Sequence, residues 1–142
     1  MKYFIGTDHA GFNIKPYVIE LLEKRGYEVE DLGCYSNDRV DYPDYAHKVA
    51  KAVLENPGSK GILICGSGIG MSLAANKHPG IRAALCQEHY TAKMARLHND
   101  ANILCFGERI VGKGMIEDII EAWCETEFEG GRHIQRVEKI DI

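Results

Sequence analysis

The chemistry this sequence can do starts at a cysteine and the glycine-rich loop behind it. Cys65 closes the apolar run Gly61–Cys65 (GILIC), and Gly66-Ser67-Gly68-Ile69-Gly70 leads into a helical stretch near Met71–Asn76. Glycines between a strand and a helix let successive backbone N–H groups face one point, which makes an anion cradle at the positive helix end. Three familiar glycine loops fail here. A Walker loop needs a lysine, and none appears before Lys77. The dinucleotide fingerprint G-x-G-x-x-G finds Met71 at its last position, and a C-x5-R phosphatase loop finds Met71 where arginine belongs. What remains is a thiol beside N–H donors. It reads as a base or nucleophile facing an oxyanion hole, or as a small core residue ending a strand. Ser67 offers a hydroxyl to the same place or caps the following helix.

Other residues admit two readings as well. Arg132 and Arg136, four apart, share one face if that segment is helical. Their planar forks suit phosphate oxygens, yet a charged terminal helix is also how a solvated face looks. His98, at the end of a helical stretch, has the right proton affinity for acid–base work, or is a terminal histidine favoured by the helix dipole. Asp8 sits where it can meet a ligand or cap the first helix.

The elements that must position these residues follow from two alternating periods. Short apolar runs predict strands at Lys2–Thr7, Tyr27–Leu32, Gly61–Cys65, Ile81–Cys86 and Ala101–Phe106. Between them, helical spacing recurs in Phe12–Leu22, closed by Gly26, and in Ala46–Leu54, closed by Asn56-Pro57-Gly58. It recurs again in Glu88–His98 and Val111–Trp123, and a short charged helix is expected within Gly131–Ile142. Strand and helix alternating in this way predict one domain over residues 1–142. Its fold class is a three-layer α/β/α sandwich around a Rossmann-like, five-stranded parallel sheet. Ligands of such sheets sit outside the carboxyl ends of the strands. The rule selects Thr7-Asp8-His9, the Gly33–Pro43 loop before and around Tyr42, Cys65–Gly70, and Phe106–Arg109.

Composition narrows the partners. A formal charge of −4 argues against a general polyanion surface and so against nucleic acid, while leaving room for two or three cations around one phosphate. The longest uncharged stretch, Gly61–Asn76, is too short and too rich in Gly and Ser to span a membrane. The first residues do not read as a signal peptide. Cys34, Cys65, Cys86, Cys105 and Cys124 are odd in number, dispersed and without a CxxC pair, which predicts reduced thiols in a cytoplasm. No metal or other cofactor is expected, since the His and Cys spacing suggests no ligand cluster.

Several motifs now take on meaning together. Gly6-Thr7-Asp8-His9-Ala10-Gly11, Cys65–Ser72 (CGSGIGMS), Ala74-Ala75-Asn76-Lys77, His98–Asn102 (HNDAN) and Phe128–Arg132 (FEGGR) occur in this order. Their combination closely resembles the ribose-5-phosphate isomerase B family, which also holds the galactose-6-phosphate isomerase subunits, and the likeness covers essentially the whole chain. It implies interconversion of an aldose phosphate and a ketose phosphate through a cis-enediol, as in the pentose phosphate pathway. In that family the residue matching Cys65 is the base. Another branch has glycine at position 65 and a glutamate base at 71, so Cys65 with Met71 resembles the cysteine branch. Ser67 stands where many members carry threonine and keeps the hydroxyl that moves protons between sugar oxygens.

The resemblance also implies that His98 opens the sugar ring, that Asn99 and Asp8 hold sugar hydroxyls, and that Tyr42 lies near the open-chain substrate. By the same likeness His9, Arg132 and Arg136 bind phosphate, and Arg109 is a further phosphate or subunit contact. Backbone N–H groups of Gly66, Gly68, Ile69 and Gly70 would meet the enediolate. His47, His78, His89 and His133 are left with structural roles. Members are homodimers or dimers of dimers with shared active sites, and segment 131–142 is short and polar enough to reach a partner. The rival readings are an isomerase of a six-carbon sugar phosphate (allose or galactose 6-phosphate) and a non-catalytic sugar-phosphate sensor.

Overall fold

In the computed structural model, which describes residues 1–141, five strands and six helices alternate as the periodicity predicts. The strands are β1 (Lys2–Thr7), β2 (Glu28–Asp31), β3 (Lys60–Cys65), β4 (Ala83–Leu85) and β5 (Ile103–Gly107). The helices are α1 (Lys15–Lys24), α2 (Tyr42–Glu55), α3 (Ile69–Ala75), α4 (His89–Leu97), α5 (Lys113–Glu125) and α6 (His133–Ile140). Every strand pairing is parallel, in the order β2-β1-β3-β5-β4. Ile142, the last residue of the expected terminal segment, lies outside the described residues.

The central strands are buried on both faces, so successive side chains feed two separate cores. Tyr3, Ile5, Ile62, Ile64, Leu104 and Phe106 pack with Val18 and Leu22 of α1, Ala92 of α4, and Ile116, Ile119 and Trp123 of α5. The residues between them, Phe4, Leu63, Ile103 and Cys105, pack with Val49 and Ala50 of α2 and Met71 of α3. Cys65 belongs to this second set. Its side chain is therefore aimed at the α2/α3 layer by strand alternation alone.

Strand order puts β2 on one side of β1 and β3 on the other. The chain thus reverses direction of winding between β1 and β3, and the crevice outside their carboxyl ends is the place such a sheet reserves for a ligand. Asp8 follows the end of β1, and Cys65 is the end of β3.

Most boundaries shift by one or two residues, and two larger differences each have a local reason. The first helix begins at Lys15, not Phe12, because residues 9–14 form turns whose amides Asp8 engages. Asp8 therefore caps a turn, not α1. Tyr42, expected in a loop, opens α2: Pro43 occupies the first turn, where its missing N–H costs nothing and its fixed φ favours helix.

On α2, His47 Nδ1 lies 2.7 Å from Nε2 of His78, which follows α3. One of the two facing nitrogens must lack a proton for this bond to exist. Burial first, then the neighbouring His47 and Lys51, holds His78 below the ordinary value of 6.5. The unfolded chain thus takes up this proton before the folded one does. Stability from the pair is complete above pH 6.5 and falls away as pH drops through the lower folded value. Thermal melts of the wild type and His78→Gln should therefore diverge at neutral pH and converge in mild acid. Parallel Tm-against-pH curves would overturn this account.

Candidate active site

At the crevice, a cavity of about 530 Å³ is lined by Asp8, Tyr42, Cys65, Gly66, Ser67, Ile69, Gly70 and Arg109, together with Leu73 and Ile110. Eight of the residues singled out from sequence therefore surround one space. The amide of Gly68 donates to Cys65 Sγ at 3.1 Å. The thiol therefore meets a backbone donor at the mouth of the loop, where a base or nucleophile would act. Ser67 Oγ accepts the Ile69 amide at 3.3 Å, which leaves its own proton free to donate. Ser67 thus holds the first amide of α3 from the position before its Gly68 N-cap, and it faces the cavity. Helical geometry leaves the Gly70 and Met71 amides at the start of α3 without intrahelical partners.

The loop needs glycine at specific points. Gly68 sits at φ +79, and a Cβ there would come 2.7 Å from both the backbone of Phe106 and the Leu85 side chain. At Gly70 a Cβ would collide with the ring of Tyr42. The cradle is thus pressed against β5 on one side and the start of α2 on the other.

Asp8 is 6% exposed, and its Oδ1 accepts the Ala10 and Gly11 amides at 2.9 and 3.2 Å. Its neighbour His9 lies outside the cavity lining and accepts the Val40 amide through Nδ1 at 3.3 Å. Glu108 was not foreseen. Burial and the nearby Asp8 charge push its carboxyl up, against a smaller opposing pull from Arg109.

The remaining predicted residues are elsewhere. His98 ends α4 and Asn99 follows it, just before the amino end of β5. Cys65 pairs with Gly107 at the other end of that strand. The five residues of β5 put about 13 Å between the two levels. Arg132, the N-cap of α6, and Arg136, within α6, are both exposed. Asn99 lines a separate cavity of about 500 Å³, with Ile140 and Asp141. The predicted residues therefore fall into two groups, at opposite ends of the sheet.

The turn beside the second group is firmly held. Arg96, 6% exposed, donates to Asp100 Oδ1 at 3.0 Å and to the Ala101 carbonyl at 2.7 Å. Arg82 donates to the Asp100 carbonyl at 3.0 Å and pairs with Asp141 at 2.9 Å. These arginines hold the turn after His98, in which Asp100 takes φ +47. His98 and His133 stack with centroids 4.2 Å apart and planes 13° from parallel. Their Nε2 atoms lie 3.6 and 3.7 Å from the same oxygen, Glu129 Oε2. Burial first, then His98 and Arg132, keeps His133 below the ordinary histidine value. Reading the sequence left His133 structural and saw no cluster of metal-ligand donors, yet three donor groups converge here. The four-residue spacing of Glu129 and His133 was the available signal.

All five cysteines are free thiols. Burial raises three of them: Cys86 to about 11, Cys105 well above its ordinary value, and Cys124 upward. No helix among the described residues is long and apolar enough to cross a membrane.

The sequence profile described as Ribose/Galactose Isomerase matches residues 3–140. Ribose-5-phosphate isomerase B of Escherichia coli is 50% identical, over 98% of this chain and 93% of that protein. The solved ribose-5-phosphate isomerase B of Clostridium thermocellum superposes with a TM-score of 0.96 at 55% identity, covering 99% of this chain and 95% of that one. The type B ribose 5-phosphate isomerase of Trypanosoma brucei gives 0.94 at 52% identity, covering 99% and 96%.

Cys65 lines the cavity and takes a backbone amide, while burial raises Cys86, Cys105 and Cys124, so Cys65 should be alkylated before those three. With limiting iodoacetamide at mildly alkaline pH, peptide mass spectrometry should find label on Cys65 before Cys86, Cys105 or Cys124. Earlier modification of any of those three would contradict the placement of the reactive thiol.

Proposed function

The chain belongs to the ribose/galactose isomerase family, and from that membership we propose that it interconverts D-ribose 5-phosphate and D-ribulose 5-phosphate. The observation that carries the assignment is the Gly68 amide bound to Cys65 Sγ at 3.1 Å, in a cavity that also holds Ser67, Asp8 and Tyr42. The relatives named for ribose 5-phosphate make the six-carbon reading the less favoured one. A sensor has no use for a thiol so placed.

The geometry supports the following sequence. With the sugar open and its C1–C2 unit above Cys65, the thiolate takes the proton from C2. The C2 electrons form a C1–C2 double bond, and negative charge collects on O1. The unpartnered amides at the start of α3 stand where that charge develops, so they stabilise the enediolate more than the ground-state aldehyde. Ser67 donates its hydroxyl proton to O1 and recovers one from O2. Cys65 then returns its proton to C1, leaving a carbonyl at C2. Asp8 and Tyr42 hold the sugar hydroxyls at the mouth of the cavity. Cys65→Ala should lower kcat for ribose 5-phosphate by about 10²–10⁴-fold, the usual contribution of a positioned base, with KM changed little. A near-normal kcat would remove Cys65 from this role. No turnover of ribose 5-phosphate by the wild-type chain would remove the function itself.

Ring opening and phosphate binding require the other group of residues. We infer that the working unit is a homodimer, alone or paired into a tetramer, in which His98, Asn99, Arg132 and Arg136 of one chain complete the Cys65 cavity of its partner. His98 would exchange the ring-opening proton, Asn99 would bind sugar hydroxyls, and the two arginines would meet the phosphate beside His9 and Arg109. The exposed apolar rim at the cavity supports such a contact: Ile69, Leu73 and Ile110 are 51, 63 and 57% exposed. The reduced thiols fit a cytoplasmic setting.

Mixed-subunit complementation distinguishes a shared site from one within a chain. Cys65→Ala and His98→Asn proteins should each be inactive. If sites are shared across a two-fold axis, random exchange of their subunits should restore about a quarter of wild-type activity, because half the dimers then carry one intact site. No recovery after verified exchange would place both residues in the same chain's site.

A further inference from the structure

We propose that His98, Glu129 and His133 form an inhibitory site for a divalent transition-metal ion of the zinc type, whose binding withdraws His98 from the isomerase reaction. The site rests on geometry, and the inhibition rests additionally on the role of His98 proposed above.

The donor atoms of the three residues lie within 4.8 Å of one another. Both imidazole nitrogens face Glu129 Oε2 at 3.6 and 3.7 Å. These spacings exceed a hydrogen bond. They are close to the roughly 3.3 Å that separates donors on a tetrahedral zinc with bonds of about 2.0–2.1 Å. A second observation points the same way. His133 is 6% exposed, and its Nε2 is buried with no hydrogen-bond partner. An unpartnered buried imidazole nitrogen is an unfavourable arrangement in the absence of a ligand. It lies 3.7 Å from the carboxylate oxygen that is 3.6 Å from the other histidine, and a shared ion requires the two stacked rings to turn toward it.

The chemistry selects the class of ion. Two imidazoles and one carboxylate suit zinc, copper or nickel far better than magnesium or calcium, which prefer oxygen ligands. Metal coordination needs neutral imidazoles. Two histidines and a glutamate fill three positions of a tetrahedron, leaving the fourth to water. An imidazole that donates its Nε2 lone pair to a metal can no longer accept or release a proton there.

The test is titration of the metal-free, full-length wild type with zinc, followed by competition with a chromophoric chelator, and with cobalt as a spectroscopic probe. We expect one ion per chain and the visible bands of four-coordinate cobalt. Glu129→Ala and His133→Asn should each weaken binding by at least about tenfold, since even outer partners of a metal ligand are worth that much. Glu129 is exposed, so its variant removes a ligand without opening the core. Cys65→Ala should bind zinc as the wild type does, which separates this site from capture by the cavity thiol. Zinc should inhibit isomerisation with the midpoint of its binding curve, and EDTA should restore the rate. Binding equal in the wild type and Glu129→Ala, or absent from both, would overturn the site and leave the function of the enzyme untouched. Specific binding without inhibition would overturn the inhibitory role and, with it, the assignment of His98 to ring opening.

Discussion

The close approach of a glycine loop to the end of β5 is the constraint on which the Cys65 cavity depends. Gly68 lies so near Phe106 that no side chain fits between them, and Gly107 is as near to Ser67. The Glu108 and Arg109 amides close the contact by donating to the carbonyls of Cys65 and Gly66 at 2.9 and 3.1 Å. With the loop held there, the Gly68 amide points at Cys65 Sγ, and α3 starts directly after it. Strand alternation settles which layer the thiol faces, and the loop settles what it meets. A single added methyl at Gly68 would act on both the thiol's hydrogen bond and the position of the oxyanion donors, because one segment of backbone carries them.

Burial divides the thiols just as sharply. Cys65 and Cys105 face the same core, yet Cys105 is wholly enclosed in mid-strand, and burial drives its pKa far up. Cys65 has the end of its strand on one side and a cavity on the other. Neighbours on one face of one sheet thus differ in access because of their distance from a strand end, with no difference in residue type.

Much of this was available from residue order. Periodicity located all five strands and all six helices, because buried parallel strands and amphipathic helices write different periods. The carboxyl-end rule then gathered Asp8, Tyr42, Cys65–Gly70 and Arg109 without knowledge of a contact. What order could not supply was the partition of the site. His98 and Cys65 are each next to β5 or its neighbour, and only the parallel register puts them at opposite ends. The stack of His98 on His133 was hidden for a similar reason. It depends on Gly130 and Gly131 both taking positive φ, at 73° and 57°, which swings α6 back over the end of α4. Phe128–Arg132 was visible as a motif, but a double-glycine turn states only that the chain can bend, not toward what.

The partition has a consequence for how such a site can exist at all. A parallel sheet puts the N-termini of its crossover helices, and the amides they leave free, at the carboxyl end of its strands, and the C-termini of those helices at the other. Bases and anion cradles gather naturally at the first end. Histidines and arginines are favoured at the second, where helix dipoles stabilise positive charge: His98 caps α4, and Arg96 stands in its last turn. An isomerase of a phosphorylated sugar needs both kinds of group around one small molecule. A single chain of this fold would have to send a long loop around its own sheet to bring them together. On the proposed two-fold assembly, one contact joins unlike ends twice over and completes two sites at once. The shortness of the connections in this chain, with α6 held against its own α4 by the amide of Glu129 on the Leu97 carbonyl at 3.0 Å, leaves the partner subunit as the simpler source.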